Sequence, residues 1–373
     1  MATMRNYLSV RDLSAEETLA VLKSAAALKR DVKAGRPHLR LAGKTLAMIF
    51  QKPSLRTRVS FEAGMTQLGG HAIYLGPEDI KLGKRETTED IALTVSRMCD
   101  IIMARVFGHD IVADLARHAT VPVINALSDR EHPCQILADL QAIQERKGRL
   151  AGLKCVFVGD GNNVAQSLLY GGALLGMSVT VACPPGYEPL PGIVAEAAAM
   201  GRRTGAQIDV SNDLLDACQD ADVLYTDVWA SMGQEAEAEK RRRDFEGWQI
   251  DGRLTAVAKP DAVILHCLPA HYGEEIDYAT SRTPNSAIFD QAENRLHAQK
   301  ALMLFLMDAA AKAHPPSVGT RAPAQRAAAA RVTRGPARKA VKRVTRPVKR
   351  AAHPRPPKVG TRAGVRRGKK KAR

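Results

Sequence analysis

Short apolar runs of strand length alternate with stretches of helical period along the first 314 residues, and the order β then α repeats in two successive series. Nothing else in the chain constrains its fold as much. Parallel neighbours need a crossover between them, a helix serves as that crossover, and the crossover is right-handed. The first series predicts strands at 46–50, 71–75, 100–106 and 121–125. Its helices are predicted at 12–34, 59–68, 88–98, 109–118 and 136–147, with a polar loop at 76–85. Asp12 or Ser14 caps the first helix, and Leu19, Leu22 and Ala26 share one face. The second series predicts strands at 154–159, 179–183, 223–228, 262–267 and 287–289, with helices at 162–175, 194–204, up to 243, and 292–312. The expected fold class is α/β: two doubly wound parallel-sheet lobes, divided near 148–153 and joined by bridging helices at 136–147 and 292–312. Ligands then belong at the carboxyl ends of the strands, facing the cleft.

Charge divides the chain again. Of its 55 Lys and Arg, 20 fall in residues 315–373, where there is no Asp or Glu; the other 35 face 39 acidic residues in 1–314. The net charge of +16 is therefore a property of the tail, whose Pro, Ala, Lys and Arg composition cannot bury enough surface to hold a fold and is expected to be disordered. Cys99, Cys134, Cys155, Cys183, Cys218 and Cys267 show neither CxxC pairs nor zinc-ligand spacing, which argues against a disulfide framework and against a metal knot. With no hydrophobic leader core and no membrane-length apolar run, the expected setting is the cytoplasm.

Chemistry gathers at strand ends. Lys52-Pro53-Ser54-Leu55-Arg56-Thr57-Arg58 lies between an apolar run and a helical pattern, where Ser54 and Thr57 suit a helix cap and free N–H groups face outward. Two arginines beside a helix N-terminus make an oxyanion site, or else a solvated basic face over a capped helix. Arg105 closes another strand. His132-Pro133-Cys134-Gln135 opens a helix, placing His132 and Gln135 one turn apart, and an imidazole beside Arg105 can polarise a carbonyl oxygen. Gly159-Asp160-Gly161-Asn162-Asn163 lacks the third glycine of a dinucleotide fingerprint, because Val164 stands there, and no acidic residue closes the next strand. Asn162 and Asn163 offer amides to a polar substrate, or form a plain Asx turn. Asp227, with Ser231-Met232-Gly233 behind it, places a carboxylate where an ammonium group can bind. His266-Cys267-Leu268-Pro269 places a thiol at the rim, reactive or buried and inert. Arg295 enters the last helix as a further cation, or as a solvated helix arginine.

With these pieces together, residues 4–313 resemble the ornithine branch of the aspartate/ornithine transcarbamoylase family. Ser54-Leu55-Arg56-Thr57-Arg58 is similar to its Ser-Thr-Arg-Thr-Arg signature, and the His132, Asp227 and His266 motifs look like the ornithine branch. The resemblance implies transfer of a carbamoyl group from carbamoyl phosphate to the δ-amine of L-ornithine, giving citrulline, with no metal or organic cofactor. It implies a carbamoyl-phosphate-binding domain at 1–148, an ornithine-binding domain at 149–290, and a C-terminal helix at 291–314 that packs back on the first lobe, ahead of the 315–373 tail. Ser54, Leu55 (by backbone), Arg56 and Thr57 would hold the phosphate. Arg105, His132, Gln135, Cys267, Leu268 and Arg295 would surround the carbamoyl side, with Arg105, His132 and Cys267 catalytic. Asn163, Asp227, Ser231 and Met232 would hold ornithine, while Arg58 is structural. A homotrimer, or a multiple of trimers, is implied, with Lys81 reaching a neighbouring subunit's site. Two departures stand out: Leu55 replaces a threonine, and the 79–86 loop carries Lys81 for glutamine and Arg85 for glycine. The alternatives are another amine substrate, putrescine or an acylated ornithine, and nucleic-acid association through the tail.

Overall fold

The computed structural model describes residues 5–82, 85–230 and 235–313; the expectations for Ser231, Met232 and the 315–373 tail lie outside the described residues. The first series folds into β1 (Thr45–Phe50), β2 (His71–Leu75), β3 (Ile101–Arg105) and β4 (Val123–Leu127), all parallel, in the order β2-β1-β3-β4. Its helices are α1 (Ala15–Lys33), α2 (Leu55–Gln67), α3 (Pro77–Ile80), α4 (Thr88–Val95), α5 (His109–His118) and α6 (Pro133–Lys147). The second series gives β5 (Lys154–Val158), β6 (Ser178–Ala182), β7 (Ile208–Ser211), β8 (Val223–Thr226) and β9 (Val263–His266), again parallel, in the order β7-β6-β5-β8-β9. With them come α7 (Asn163–Leu175), α8 (Pro191–Thr204), α9 (Leu214–Cys218), α10 (Ala238–Asp244), α11 (Gly252–Val257) and α12 (Ile288–Ala313). β1, β3, β4 and β8 are largely apolar and buried along nearly their whole length, as strands covered by helices on both faces are.

Five expectations are corrected. The predicted strand at 287–289 is absent: Ser286 makes a single bridge to Ile264, and the chain enters α12 at Ile288. α1 begins at Ala15 behind a Ser14–Glu17 capping box, and Leu19 is exposed; packing against α6 and α12 selects Val21, Leu22, Ala25 and Leu28 from its alanine-rich surface. α2 begins at Leu55, four residues ahead of the apolar pattern, and Val59 faces out while Phe61 and Met65 are buried. α3 occupies part of the predicted 76–85 loop. β7, α9 and α11 were not foreseen, being an edge strand of four residues and two short helices whose caps, Asp213 and Asp251, are their main signal.

α12 packs against α1, α2 and α6, and one apolar core runs from Leu46 and Met48 through Leu137 and Leu140 to Phe157 and Val181. Among the described residues no helix is long and apolar enough to cross a membrane.

Candidate active site

Strand register assembles the site. Phe50 of β1 pairs with Arg105 of β3, so the turn after β1 and the end of β3 share one rim, and Gln51 N donates to Arg105 O at 2.9 Å. In the second sheet Thr226 pairs with His266, which brings the next residues, Asp227 and Cys267, side by side; the thiol donates to Asp227 Oδ1 at 2.9 Å. Between the two rims lies a cavity of about 520 Å³. Ser54, Leu55, Arg56, Thr57, Arg105, His132, Gln135, Asn163, Asp227, Cys267, Leu268 and Arg295 all line it. Lys81 does not: it is exposed, has a left-handed φ of 43°, and pairs with Glu78 at 3.4 Å.

Ser54 caps α2, with its Oγ accepting from Thr57 N at 3.4 Å and donating to Thr57 Oγ1 at 3.1 Å. Helix geometry leaves the N–H groups of Leu55 and Arg56 without carbonyls below them, and they add to the positive end of the helix dipole. Arg58 points elsewhere, pairing with Glu62 at 3.2 Å and covering the Tyr74 ring at 4.0 Å. Arg295 is buried, not solvated: its Nη1 donates to Gln135 Oε1 at 2.7 Å and its Nη2 to Thr57 Oγ1 at 3.3 Å.

Burial and mutual repulsion act on these cations. Burial, then Arg295 and Arg56, pull Arg105 down to about 10, while burial and Arg105 pull Lys52 down to about 8. Arg56 and Arg295 are lowered as well, mainly by burial. His132 occupies the N-cap position of α6 without a capping bond, and its Nδ1 is buried with no partner. Burial and the four surrounding cations hold it well below the usual histidine range, so the imidazole is neutral. A neutral imidazole beside Arg105 stabilises an oxyanion without carrying an exchangeable charge of its own.

On the opposite rim, Asp227 Oδ2 accepts from Asn162 Nδ2 at 2.9 Å, and its Oδ1 accepts from Val228 N at 2.8 Å. Asn163 lines the cavity, and its Nδ2 donates to Ser128 O at 2.6 Å. Burial and the Asp227 carboxylate push the Cys267 thiol well above its ordinary value, so it stays protonated at neutral pH. Leu268 has a left-handed φ of 61°, held by its N–H donating to His266 Nδ1 at 2.9 Å; His266 Nε2 in turn donates to Glu275 at 2.9 Å. Asp227, His266 and Cys267 lie close enough to share a metal ion, but both His266 ring nitrogens are engaged within the protein, so the set does not converge on an ion. Gly161 serves packing: a Cβ there would run into the backbone of Glu188 and Pro189.

Beneath the cavity is a carboxylate that the sequence reading overlooked. Asp139, fully buried on α6, accepts from Gln135 Nε2 and Gln291 Nε2, each at 2.7 Å, and from Tyr225 OH at 2.9 Å. Burial pushes its carboxyl up to about 7 against the pull of these three donors. The i, i+4 spacing from Gln135 was its only sequence signal. Lys52 and His271 also line the cavity, Lys52 from within the turn that joins β1 to α2.

Residues 5–145 match the family model for the carbamoyl-P binding domain of aspartate/ornithine carbamoyltransferase, and residues 151–306 match the model for its Asp/Orn binding domain. The chain belongs to the aspartate/ornithine carbamoyltransferase family. An ornithine carbamoyltransferase of Thermococcus kodakarensis is 55% identical over 303 residues, covering 81% of this chain and 96% of the relative. One from Acidothermus cellulolyticus is 54% identical over 308 residues, with 82% and 98% covered. The solved ornithine carbamoyltransferase of Pyrococcus furiosus superposes with a TM-score of 0.80 at 53% identity, over 82% of this chain and 98% of that one. The family's two domain models meet between residues 145 and 151, where α6 ends at a left-handed Gly148.

Proposed function

We infer that the cavity is the active site of an ornithine carbamoyltransferase. The chain transfers the carbamoyl group of carbamoyl phosphate to the δ-amine of L-ornithine, giving L-citrulline and phosphate. One observation carries the assignment of parts: a capped helix N-terminus ringed by Arg56, Arg105 and Arg295 faces the Asp227–Cys267 pair across a single cavity.

In this reading the phosphate rests on the α2 N-terminus, against Ser54, Arg56, Thr57 and the backbone of Leu55. The Leu55 side chain is 73% exposed, which supports a role through its backbone rather than through a side-chain hydroxyl. The carbamoyl group lies among Arg105, His132, Gln135, Arg295, Cys267 and the Leu268 carbonyl; ornithine is held by Asn163 and Asp227, and by Ser231 and Met232, which lie outside the described residues. The δ-nitrogen bonds to the carbamoyl carbon, negative charge gathers on the carbonyl oxygen beside Arg105 and neutral His132, and the C–O bond to phosphate then breaks. With the Cys267 thiol protonated, the groups left to take the amine proton are Asp227 and the departing phosphate.

The domain assignment is residues 1–148 for carbamoyl phosphate, 149–290 for ornithine, and a C-terminal helix at 291–314 that packs back on the first lobe, as the contacts of α12 with α1, α2 and α6 support. Exposed Leu55, Val59 and Ile73 on α2 and β2 leave apolar surface free for a partner, which supports a homotrimer in which Lys81 serves a neighbouring site. The test is citrulline formation with ornithine, putrescine and acetylornithine in parallel, for the wild type and Arg56→Ala. Ornithine is expected to be preferred, and Arg56→Ala to lower turnover about 100- to 1000-fold while the fold is kept. Near-normal turnover by the variant would sink the assignment of this turn.

A further inference from the structure

We propose that Asp139 is a positioning residue that sets the direction of the Gln135 amide and so makes the site prefer a carbamoyl group to an acyl group lacking an N–H donor. The proposal rests on the carbamoyl-transfer reading.

A glutamine amide has an acceptor at one end and a donor at the other, and a rotation of 180° about its last bond exchanges them. An ionised carboxylate only accepts. Asp139 lies one helical turn beyond Gln135 on the same face of α6, and both of its oxygens are occupied by donors: Oδ1 by Gln135 Nε2 and Gln291 Nε2, Oδ2 by Tyr225 OH. Gln135 must therefore turn its amino group down to Asp139. Its Oε1 then points the other way, where Arg295 Nη1 donates to it at 2.7 Å at the edge of the cavity. Turning the amide over would set oxygen against carboxylate and amino group against guanidinium, two repulsive contacts in place of two charge-assisted bonds. Gln291 is fixed by the same logic. Its Nε2 faces Asp139 while its Oε1 accepts from His266 N at 2.9 Å, so the network cannot relax by a second flip.

An amide oxygen has two lone pairs, and Arg295 uses one. The other is available to a donor arriving in the cavity. The NH₂ of a carbamoyl group is such a donor, whereas the methyl of an acetyl group, of nearly the same size, is not and would leave that lone pair dry. The buried negative charge of Asp139 strengthens the direction that Arg295 also favours. An asparagine at 139 keeps an acceptor at one end only and carries no charge, so the charge-assisted hold on that direction is lost.

The experiment uses the full chain at pH 8, above the Asp139 value of about 7. KM and kcat for carbamoyl phosphate and the inhibition constant of acetyl phosphate are measured for wild type, Asp139→Asn, Gln135→Ala and the double variant. Asp139→Asn is expected to raise the carbamoyl phosphate KM about tenfold and leave acetyl phosphate inhibition within twofold, so the preference falls about tenfold. In the Gln135→Ala background it should add less than twofold. An unchanged preference in a folded Asp139→Asn protein overturns the proposal, and so does a full additional effect in the double variant, the mark of a merely structural role. Should Asp139→Asn not fold, the wild type is read at pH 6 and pH 8: protonating Asp139 removes the charge that holds Gln135 Nε2, the preference should fall about threefold at pH 6, and no change overturns the proposal. A wild type that makes no citrulline sinks the underlying reading instead, whatever Asp139→Asn does.

Discussion

Arg105→Met separates what the cation cluster does for the ligand from what it costs the fold. Arg105 is 7% exposed, and a guanidinium ordinarily near 12.5 is held at about 10. That gap corresponds to roughly 3 kcal/mol of unfavourable surroundings for the charged form. The folded value lies below the unfolded one, so the unfolded chain holds the proton more tightly. The cost is therefore present at every pH below about 10 and fades only as pH climbs from there toward 12.5. Methionine has a similar reach and no charge; it gives up the polar contacts of the guanidinium, worth about 1–2 kcal/mol. The ligand-free variant should gain about 1 kcal/mol, a rise in Tm of roughly 1–3 °C for a body of this size. Catalysis should move the other way, because a donor to the developing oxyanion is gone, with turnover falling about 100- to 1000-fold. Thermal unfolding followed by circular dichroism at pH 8 in phosphate-free buffer reads the first quantity, and citrulline kinetics the second. Carbamoyl phosphate at 100 times Kd should stabilise the wild type by about 2.7 kcal/mol and the variant by clearly less. A ligand-free variant that melts several degrees below wild type, or one with wild-type kinetics, refutes the reasoning.

Lys52, pulled down to about 8 by burial and Arg105, loses its charge as pH rises through that value. With ornithine saturating, kcat/KM for carbamoyl phosphate should therefore fall above pH 8. Lys52→Arg should remove that limb, and an unaltered limb in the variant would exclude Lys52 as its source. Cys267→Ser keeps a donor to Asp227 and should leave the ornithine KM within about threefold, whereas Cys267→Ala strips that donor and should raise it about tenfold; equal effects would show that the hydrogen bond is irrelevant. Ending the chain after His314 should leave citrulline turnover and Tm unchanged and abolish salt-dependent retention on DNA, since the 20 basic charges are gone. DNA retention that persists in the shortened chain, or that ignores salt, contradicts this.

The rims of the site were legible in the sequence because they are built by strand ends. A residue that closes an apolar run, such as Arg105, Asp227 or Cys267, has its position fixed by parallel register, and Phe50–Arg105 and Thr226–His266 pairing places it without further information. Helix-borne residues carry no such mark. Arg295 reads the same in the sequence whether it points to water or inward, and only the packing of α12 on α1, α2 and α6 decides. Asp139 looks like an ordinary surface carboxylate of an amphipathic helix until Tyr225, 86 residues away, supplies its donor. The same limit explains Leu19: an alanine-rich helix offers several apolar stripes, and tertiary contacts select one. Extended chain was over-read at 287–289, where hydrophobicity was right and length was not, and under-read at β7, an edge strand with polar residues in alternation.

α12 is the last element of the described chain, yet two of its residues complete a site begun far upstream. Arg295 reaches Thr57 across 238 residues of sequence, and Gln291 holds Asp139 across 152. A nascent chain that has made both sheets already owns the phosphate turn, Asp227 and Cys267, but it lacks the cation and the amide that lock Gln135. Catalysis thus waits on the final helix as on a checkpoint in synthesis.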